Sequence, residues 1–186
     1  MKERYAERTH EKMREVLMKP EAGGPVIHYY MIRGGSEKTN ITIWESGLVG
    51  KEYIKTYGHY HVRSFGETYK FLQGRGVVII QEREIDLGGN PINDEIKSFR
   101  AVNVKAGDEI SIPENAGHLV VNIGKTWLVA SDNSPVNFGD RDPVGLPGHA
   151  DYEPFLKLRG AAYYVVEKDG KPALVKNPNY KKVPNA

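Results

Sequence analysis

The sequence contains no cysteine, so disulfide bonds, thiolate nucleophiles and cysteine-ligated zinc or iron–sulfur sites are excluded. Any metal site must therefore use histidine and carboxylate ligands. No segment approaches the roughly 18 apolar residues of a membrane-spanning helix, so we expect no membrane partner. A strong excess of one charge is also missing. The 26 Lys and Arg residues and 24 Asp and Glu residues give a formal net charge of +2, and we expect no nucleic-acid partner.

The length and composition of the chain favour one folded domain. At 186 residues the chain has the usual size of a single domain. Hydrophobic residues make up 39% and charged residues 27%, a balance typical of folded proteins rather than disordered ones. The N-terminal residues are charged and lack the apolar region of a secretion signal, so we expect a cytoplasmic protein.

The hydrophobic pattern predicts an all-β fold with a short N-terminal helix. Met13, Val16 and Leu17 repeat at helical spacing, which predicts a helix over residues 6–18 that ends before Pro20. Short segments rich in Val, Ile, Tyr and Thr follow, separated by Gly, Pro, Asn and Asp. The predicted strands are 25–31, 40–44, 53–61, 69–72, 77–81, 99–104, 109–112, 119–123 and 127–130. So many short strands favour a β-sandwich or a jelly-roll barrel.

Turn-rich segments divide this predicted domain into parts. Residues 86–93 are predicted to link two β motifs, and residues 168–171 are predicted to turn a C-terminal hairpin of strands 162–166 and 173–176. The Pro- and Gly-rich segment 134–154 is either a functional loop or lid, or an ordinary surface loop. We therefore expect a single domain with a helical N-terminal segment, a barrel core, a lid-like loop and a C-terminal hairpin and tail, at residues 1–23, 24–133, 134–160 and 161–186.

A pair of histidines gives the first indication of a metal site. His59 and His61 lie two residues apart, so on a strand both imidazoles point to the same face. After a connection of residues 62–66, Glu67 shares one face of the next strand with Tyr69, and a hairpin would bring it back opposite the histidines. A His-x-His pair alone is more often an ordinary surface or core feature, so the prediction also depends on the rest of the chain.

The second half of the chain supplies a third imidazole. Gly107 and Pro113 bound a predicted strand, and His118 begins the next one, with Asn122 four residues later. Three imidazole nitrogens and one carboxylate oxygen suit a borderline divalent ion. We expect Fe²⁺ first, with Mn²⁺, Ni²⁺ or Zn²⁺ as alternatives. The predicted metal ligands are His59, His61, Glu67 and His118.

These residues and their spacing resemble the two motifs of the cupin superfamily. The first motif matches His59, His61, Glu67 and Gly74, and the second matches Gly107, Pro113, His118 and Asn122. The two motifs occur in the expected order and span most of the central chain. The resemblance implies a cupin jelly-roll barrel.

Neighbouring residues resemble one branch more closely, the archaeal-type cupin phosphoglucose isomerases. Residues 56–61 fit the family's Thr-x-Gly-His-x-His, residues 67–76 fit its Glu-x-Tyr-x-x-Leu-x-Gly-x-Gly, and residues 113–124 fit its Pro…Ala-x-His element followed by Val-Asn-Ile-Gly. The resemblance runs from about Gly24 to Pro178. It implies an enzyme that interconverts glucose 6-phosphate and fructose 6-phosphate, with a sugar phosphate as its small-molecule partner.

The resemblance also implies which residues hold the substrate. The family's sugar-phosphate ligands correspond to Thr42, Thr56, Gly58 and Tyr69, and Tyr152 substitutes for a further ligand-side tyrosine. Thr56 lies three residues before His59, so a regular strand would turn it away from the histidines. A bulge or kink near Gly58 is therefore predicted.

The reaction that the resemblance implies requires a proton to move between two carbon atoms. Glu67 is predicted to be the catalytic base as well as a metal ligand. A metal-assisted hydride shift would need the same ligands and no free base. The sequence leaves both routes open.

Two other functions fit the same metal ligands. One is a cupin dioxygenase or another metal-dependent cupin enzyme. The other is a sugar-phosphate-binding protein without activity, because Tyr57 and Ser134 stand where the isomerase family often has lysine and tyrosine. Small barrels often pair through strand edges, so we also expect a homodimer.

Overall fold

Antiparallel strands make up most of the structure, a computed structural model that describes residues 4–34, 40–62 and 65–185. The predicted all-β fold with a short N-terminal helix is confirmed. The helical elements are α1 (His10–Met13), α2 (Glu153–Lys157) and a 3₁₀ turn at Arg14–Val16. The strands are β1 (Tyr5–Thr9), β2 (Ile27–Ile32), β3 (Asn40–Trp44), β4 (Leu48–Val49), β5 (Glu52–Tyr53), β6 (Tyr60–His61), β7 (Glu67–Gln73), β8 (Arg75–Ile85), β9 (Pro91–Lys105), β10 (Glu109–Ile112), β11 (Gly117–Asn122), β12 (Leu128–Asp132), β13 (Ala150–Asp151), β14 (Tyr163–Lys168) and β15 (Lys171–Lys176).

The strands form four sheets. The largest has the order β1-β2-β3-β12-β7-β10, and the second has the order β11-β8-β9. The smaller sheets are β13-β6 and β15-β14-β5-β4. Strands that are distant in sequence are neighbours, such as β3 with β12, and this agrees with the predicted cupin jelly roll. In the described residues each sheet is open, so hydrogen bonds do not close the strands into one barrel.

The main hydrophobic core lies between the two larger sheets. Trp44, Phe71 and Leu128 come from the largest sheet and are almost fully buried, as are Val78 and Val120 from the second sheet. Alternation along the strands produces this arrangement: in β3 every second residue is buried. Each of these side chains stabilises the fold by about 1.5–3 kcal/mol through removal of apolar surface from water.

A bulge interrupts the predicted strand 53–61, which the structure divides into β5, an irregular stretch and β6. Lys55 bridges Val121 and His59 bridges His118, so residues 55–59 lie opposite the shorter stretch 118–121. Gly58 has a φ of +85°, a left-handed conformation that favours glycine. The predicted irregularity near Gly58 is therefore present, and it changes which side chains face the interior.

The predicted helix over residues 6–18 is wrong in its first part. Residues 5–9 form β1, which pairs with β2 through backbone hydrogen bonds. The helix begins only after Thr9, whose hydroxyl oxygen accepts a hydrogen bond from the Lys12 amide and caps it. Long-range pairing thus outweighs the local helical pattern, although Met13 and Val16 are buried as that pattern requires.

Two predicted turns have different outcomes. The C-terminal hairpin is confirmed, with positive φ at Asp169 and Gly170 between β14 and β15. The segment 86–93, predicted to link two β motifs, is instead a tight turn inside one long hairpin of β8 and β9, and residues 91–93 already belong to β9. Asp86 stabilises this turn by accepting hydrogen bonds from the Gly88 and Asn90 amides.

The segment 134–160 contains two short elements that the sequence did not predict. β13 pairs with β6, so this segment is hydrogen-bonded to the strand that carries His61. α2 follows directly and buries Phe155. Among the described residues no helix is long and apolar enough to span a membrane.

We expect Gly58→Ala to lower the free energy of unfolding by about 2–4 kcal/mol, measured by urea denaturation. A Cβ atom at this position would lie 2.5 Å from two ring atoms of Phe155, in a backbone conformation that disfavours alanine. Gly23→Ala is the matched control, because a Cβ there has no neighbour within 4 Å. Equal stability of the two variants would contradict the packing described here.

Candidate metal centre

Three strands, β6, β7 and β11, and the irregular stretch before β6 bring the four predicted metal ligands together. His59 and His118 lie opposite each other and exchange two backbone hydrogen bonds, of 3.2 and 3.0 Å. His61 is on β6 and Glu67 begins β7, and residues 63 and 64 of the predicted connection between them lie outside the described part of the chain. One ligand atom from each of the four residues lies within 4.8 Å of all the others. The cluster could therefore hold one divalent ion.

The carboxylate of Glu67 is the centre of this cluster. Its Oε2 atom lies 3.2 Å from Nε2 of His61 and 3.0 Å from Nε2 of His118. The third imidazole packs beside them, with its ring centre 4.5 Å from that of His118. Nε2 of His59 is buried and has no hydrogen-bond partner. A buried nitrogen without a partner is costly, and a metal ion would satisfy it.

The orientation of His61 also fits a metal ligand. Its Nδ1 atom lies 3.2 Å from the carbonyl oxygen of Phe65, so a proton on Nδ1 donates to that oxygen. In the neutral imidazole Nε2 then carries the lone pair that faces Glu67. In this tautomer a bound cation would be coordinated by the lone pair and the carboxylate oxygen together.

Burial and neighbouring charges set the protonation states in the cluster. Burial by itself raises the pKa of Glu67, but the imidazoles of His118 and His61 outweigh it and hold the pKa well below its ordinary value. Burial, followed by the charge of His118, lowers the pKa of His59 well below its ordinary value. An ionised carboxylate and a neutral imidazole are the states that bind a divalent metal ion.

A narrow cavity of about 40 Å³ lies directly beside the cluster. All five residues that were predicted to hold the substrate border it: Thr42, Thr56, Gly58, Tyr69 and Tyr152. The bulge at Gly58 explains the position of Thr56, whose hydroxyl oxygen also accepts a hydrogen bond from the Val120 amide. Their contact with a substrate stays a prediction.

Two further residues, one in the cavity wall and one beside the cluster, were not predicted as site residues. Arg33 borders the cavity and forms an ion pair of 3.1 Å with Asp132. The ring of His149 lies 6.0 Å from those of His59 and His61. Burial lowers the pKa of His149 to about 4, so this imidazole is neutral near pH 7. Its place three residues before Tyr152 in the sequence was the available signal for it.

Two motif residues have roles in the fold rather than in the cavity. Asn122 donates to the carbonyl oxygens of Glu45 and Thr126 and accepts from the Gly124 amide, which fixes the turn after β11. Ser134, which replaces a tyrosine of the resembled family, is buried and donates to Asp132. Ser134 is therefore fully engaged in a structural contact.

Comparison with known proteins identifies a family model and curated relatives that match most of this chain. Residues 29–183 match the family model described as glucose-6-phosphate isomerase. The glucose-6-phosphate isomerase of Pyrococcus furiosus is 27% identical over 142 residues, which cover 76% of this chain and 63% of the relative. The enzyme of the same name from Pyrococcus abyssi is 27% identical over 177 residues, 92% of this chain and 80% of the relative. The chain thus matches less than two thirds of the first relative's length.

Similar solved structures include enzymes that act on oxalate. An oxalate oxidase in complex with the substrate analogue glycolate has a TM-score of 0.37 and 24% identity, over 52% of this chain and 41% of that one. The oxalate decarboxylase of Lactobacillus farciminis has a TM-score of 0.36 and 26% identity, over 50% of this chain and 22% of that one.

We expect His118→Ala to weaken the binding of a divalent ion by more than about tenfold, because it removes an imidazole from a buried ligand set. Elemental analysis after dialysis against Fe²⁺ or Mn²⁺ would measure the bound metal. His10→Ala is the control, since His10 contacts His28 and lies outside the cluster. Full metal content in a folded His118→Ala protein would show that this cluster is not the binding site.

Proposed function

Since the chain belongs to the glucose-6-phosphate isomerase family, we propose that it interconverts glucose 6-phosphate and fructose 6-phosphate. The observation that carries this proposal is the buried cluster of His59, His61, Glu67 and His118. It lies within the residues that match the family model. We assign a divalent metal ion to the cluster, with Fe²⁺ preferred and Mn²⁺, Ni²⁺ or Zn²⁺ also compatible with its nitrogen and oxygen ligands.

The reaction moves hydrogen between carbons 1 and 2 of the sugar and exchanges a carbonyl and a hydroxyl group there. A bound divalent ion supplies Lewis-acid polarisation of these two oxygens, which makes the neighbouring C–H more acidic. The chain itself must orient the sugar relative to the ion and exclude water. The cavity beside the cluster is lined mainly by threonine and tyrosine side chains, together with Gly58, Met31, Arg33 and two of the imidazoles, and these walls suit this task.

Glu67 is the residue that we propose as the catalytic base. Its carboxylate is 2% exposed and is kept ionised by the neighbouring imidazoles, so it can accept a proton from carbon 2 and return it to carbon 1. Tyr69 lies on the same strand, and burial, then the charge of Glu67, raises the pKa of its hydroxyl well above the ordinary value. The Tyr69 hydroxyl is therefore protonated and can donate a hydrogen bond to a sugar oxygen. A hydride shift within the bound sugar would need no base.

Thr42, Thr56, Gly58 and Tyr152 complete the proposed substrate site. Thr42 is buried on β3 and faces the cavity, and Thr56 borders it from the bulge. Tyr152 comes from the segment 134–160, and its ring lies 5.5 Å from that of His59. We propose that this segment acts as a lid, because it carries Tyr152 over the side of the cluster.

We further propose a cytoplasmic homodimer formed from single-domain chains. β10 and β15 are edge strands of their sheets in the described structure, and edge strands of small β domains commonly pair with a second copy. Sedimentation velocity should give twice the mass of one chain.

The first test concerns the metal. Elemental analysis of the purified protein should find a divalent metal. Chelation should abolish turnover of fructose 6-phosphate, and return of the metal should restore it. Full turnover by metal-stripped protein would refute the proposed mechanism. Oxygen consumption would favour a dioxygenase, and binding of fructose 6-phosphate without turnover would favour a binding protein.

The second test concerns Glu67. We expect Glu67→Gln to lower kcat by about 100-fold or more, because the amide cannot accept the proton. Glu109→Gln is the control, since Glu109 is exposed on β10. A Glu67→Gln protein that binds metal and retains its kcat would exclude Glu67 as the base and leave the hydride shift.

A further inference from the structure

Arg8 is a buried cation close to the proposed substrate cavity. It is 6% exposed and is the most deeply buried residue of β1, an edge strand. In the register of β1 and β2 it lies opposite Tyr29, which borders the cavity. A guanidinium group almost never occupies such a position unless a negative charge accompanies it.

No negative charge of the described residues accompanies Arg8. It donates hydrogen bonds to the hydroxyl oxygen of Tyr29, at 3.2 Å, and to the carbonyl oxygen of Gly145. Its guanidinium lies over the rings of Tyr29 and Tyr57, at 5.9 and 5.7 Å. In the described parts of the chain no carboxylate forms an ion pair with it. Within the described residues, these neutral contacts give the guanidinium no negative counter-charge.

The other cations near the cavity differ in this respect. Arg33 is paired with Asp132 at 3.1 Å, and Lys55 is paired with Glu52 at 3.3 Å. Burial raises the pKa of the neighbouring Tyr57 hydroxyl, which therefore stays neutral near pH 7. Of these three cations, Arg8 is thus the one without a carboxylate partner among the described residues, and a bound anion would supply its counter-charge.

The position of Arg8 relative to the metal ligands suits a ligand with two different ends. The ring of Tyr152 lies 5.5 Å from that of His59 on one side and 5.5 Å from that of Tyr57 on the other. Arg8 packs over the rings of Tyr29 and Tyr57, which border the same cavity as His59 and His118 of the metal cluster. In a six-carbon sugar phosphate, the carbonyl and the phosphate are at opposite ends.

We propose that Arg8 binds the phosphate group of the substrate and makes the enzyme specific for phosphorylated sugars. This inference rests on the proposed isomerase function. An arginine fork matches the oxygens of a phosphate, and the charge-assisted hydrogen bonds would hold the sugar with its carbonyl end at the metal cluster. Arg8 lies before residue 29, outside the part of the chain that matches the family model.

The test compares Arg8→Gln and Arg8→Lys with the native protein. In Arg8→Gln we expect the KM for fructose 6-phosphate and the inhibition constant of inorganic phosphate to rise by about 10- to 100-fold. The metal content and kcat should change little. Arg8→Lys should lie between the two, because it keeps the charge but loses the fork. Arg100→Gln, an exposed arginine on β9, should behave like the native protein.

Binding measured by calorimetry separates this inference from the proposed function. If the native protein isomerises the sugar and Arg8→Gln keeps the native KM and phosphate affinity, the role of Arg8 is refuted and the function stands. If the native protein binds fructose 6-phosphate in an Arg8-dependent way without turnover, the role of Arg8 stands and the function fails. A loss of kcat alone would make Arg8 a positioning residue for Tyr29 and refute phosphate binding. Should Arg8→Gln not fold, unchanged constants in Arg8→Lys would also refute the proposal.

Discussion

The backbone pairing of His59 with His118 determines where the metal centre can form. The two residues come from distant parts of the chain, and their two hydrogen bonds hold the first cupin motif against the second. The bulge at Gly58 lies directly before this pair and lets the chain enter β6 with His61 facing the same interior. Glu67 then arrives on the next strand of the largest sheet. The backbone therefore determines the geometry of the cluster, and each side chain extends only a short distance to the common centre.

Buried carboxylates are concentrated around this pairing, and each of them has a nitrogen-containing partner. Glu67 lies among imidazoles, Asp132 is paired with Arg33, and Glu52 is paired with Lys55. Such pairs cost desolvation energy, which is repaid only when the geometry is good and the remaining polar atoms are satisfied. Arg8 departs from this rule, which is why it carries the inference about phosphate. Nε2 of His59, in the metal cluster, is also buried without a partner, and a bound metal ion would satisfy it.

Local patterns predicted a large part of the fold and the four residues that form the candidate metal centre. The strands Asn40–Trp44 and Glu109–Ile112 have the predicted bounds, because alternation and turn residues define them locally. The ligand set was predictable because two short motifs place each ligand at a fixed step from a turn. The strand at Tyr5–Thr9 was not predictable in this way, since its structure depends on pairing with Ile27–Ile32. Arg8 was missed with it, because a charged residue in a segment predicted as a short helix gives no sign of burial.

The short ladder between β13 and β6 connects the proposed lid to a metal ligand. Ala150 pairs with His61, and Tyr152, two residues later, borders a cavity of about 40 Å³. Pockets that enclose small organic ligands usually measure roughly 300 Å³ or more, so under the proposed function a sugar phosphate would enter only if this wall moved outward. The same displacement would pull on the strand of His61. Substrate admission and exchange of the ion with bulk solvent would then share a kinetic barrier, and saturating sugar phosphate would trap the ion inside the protein.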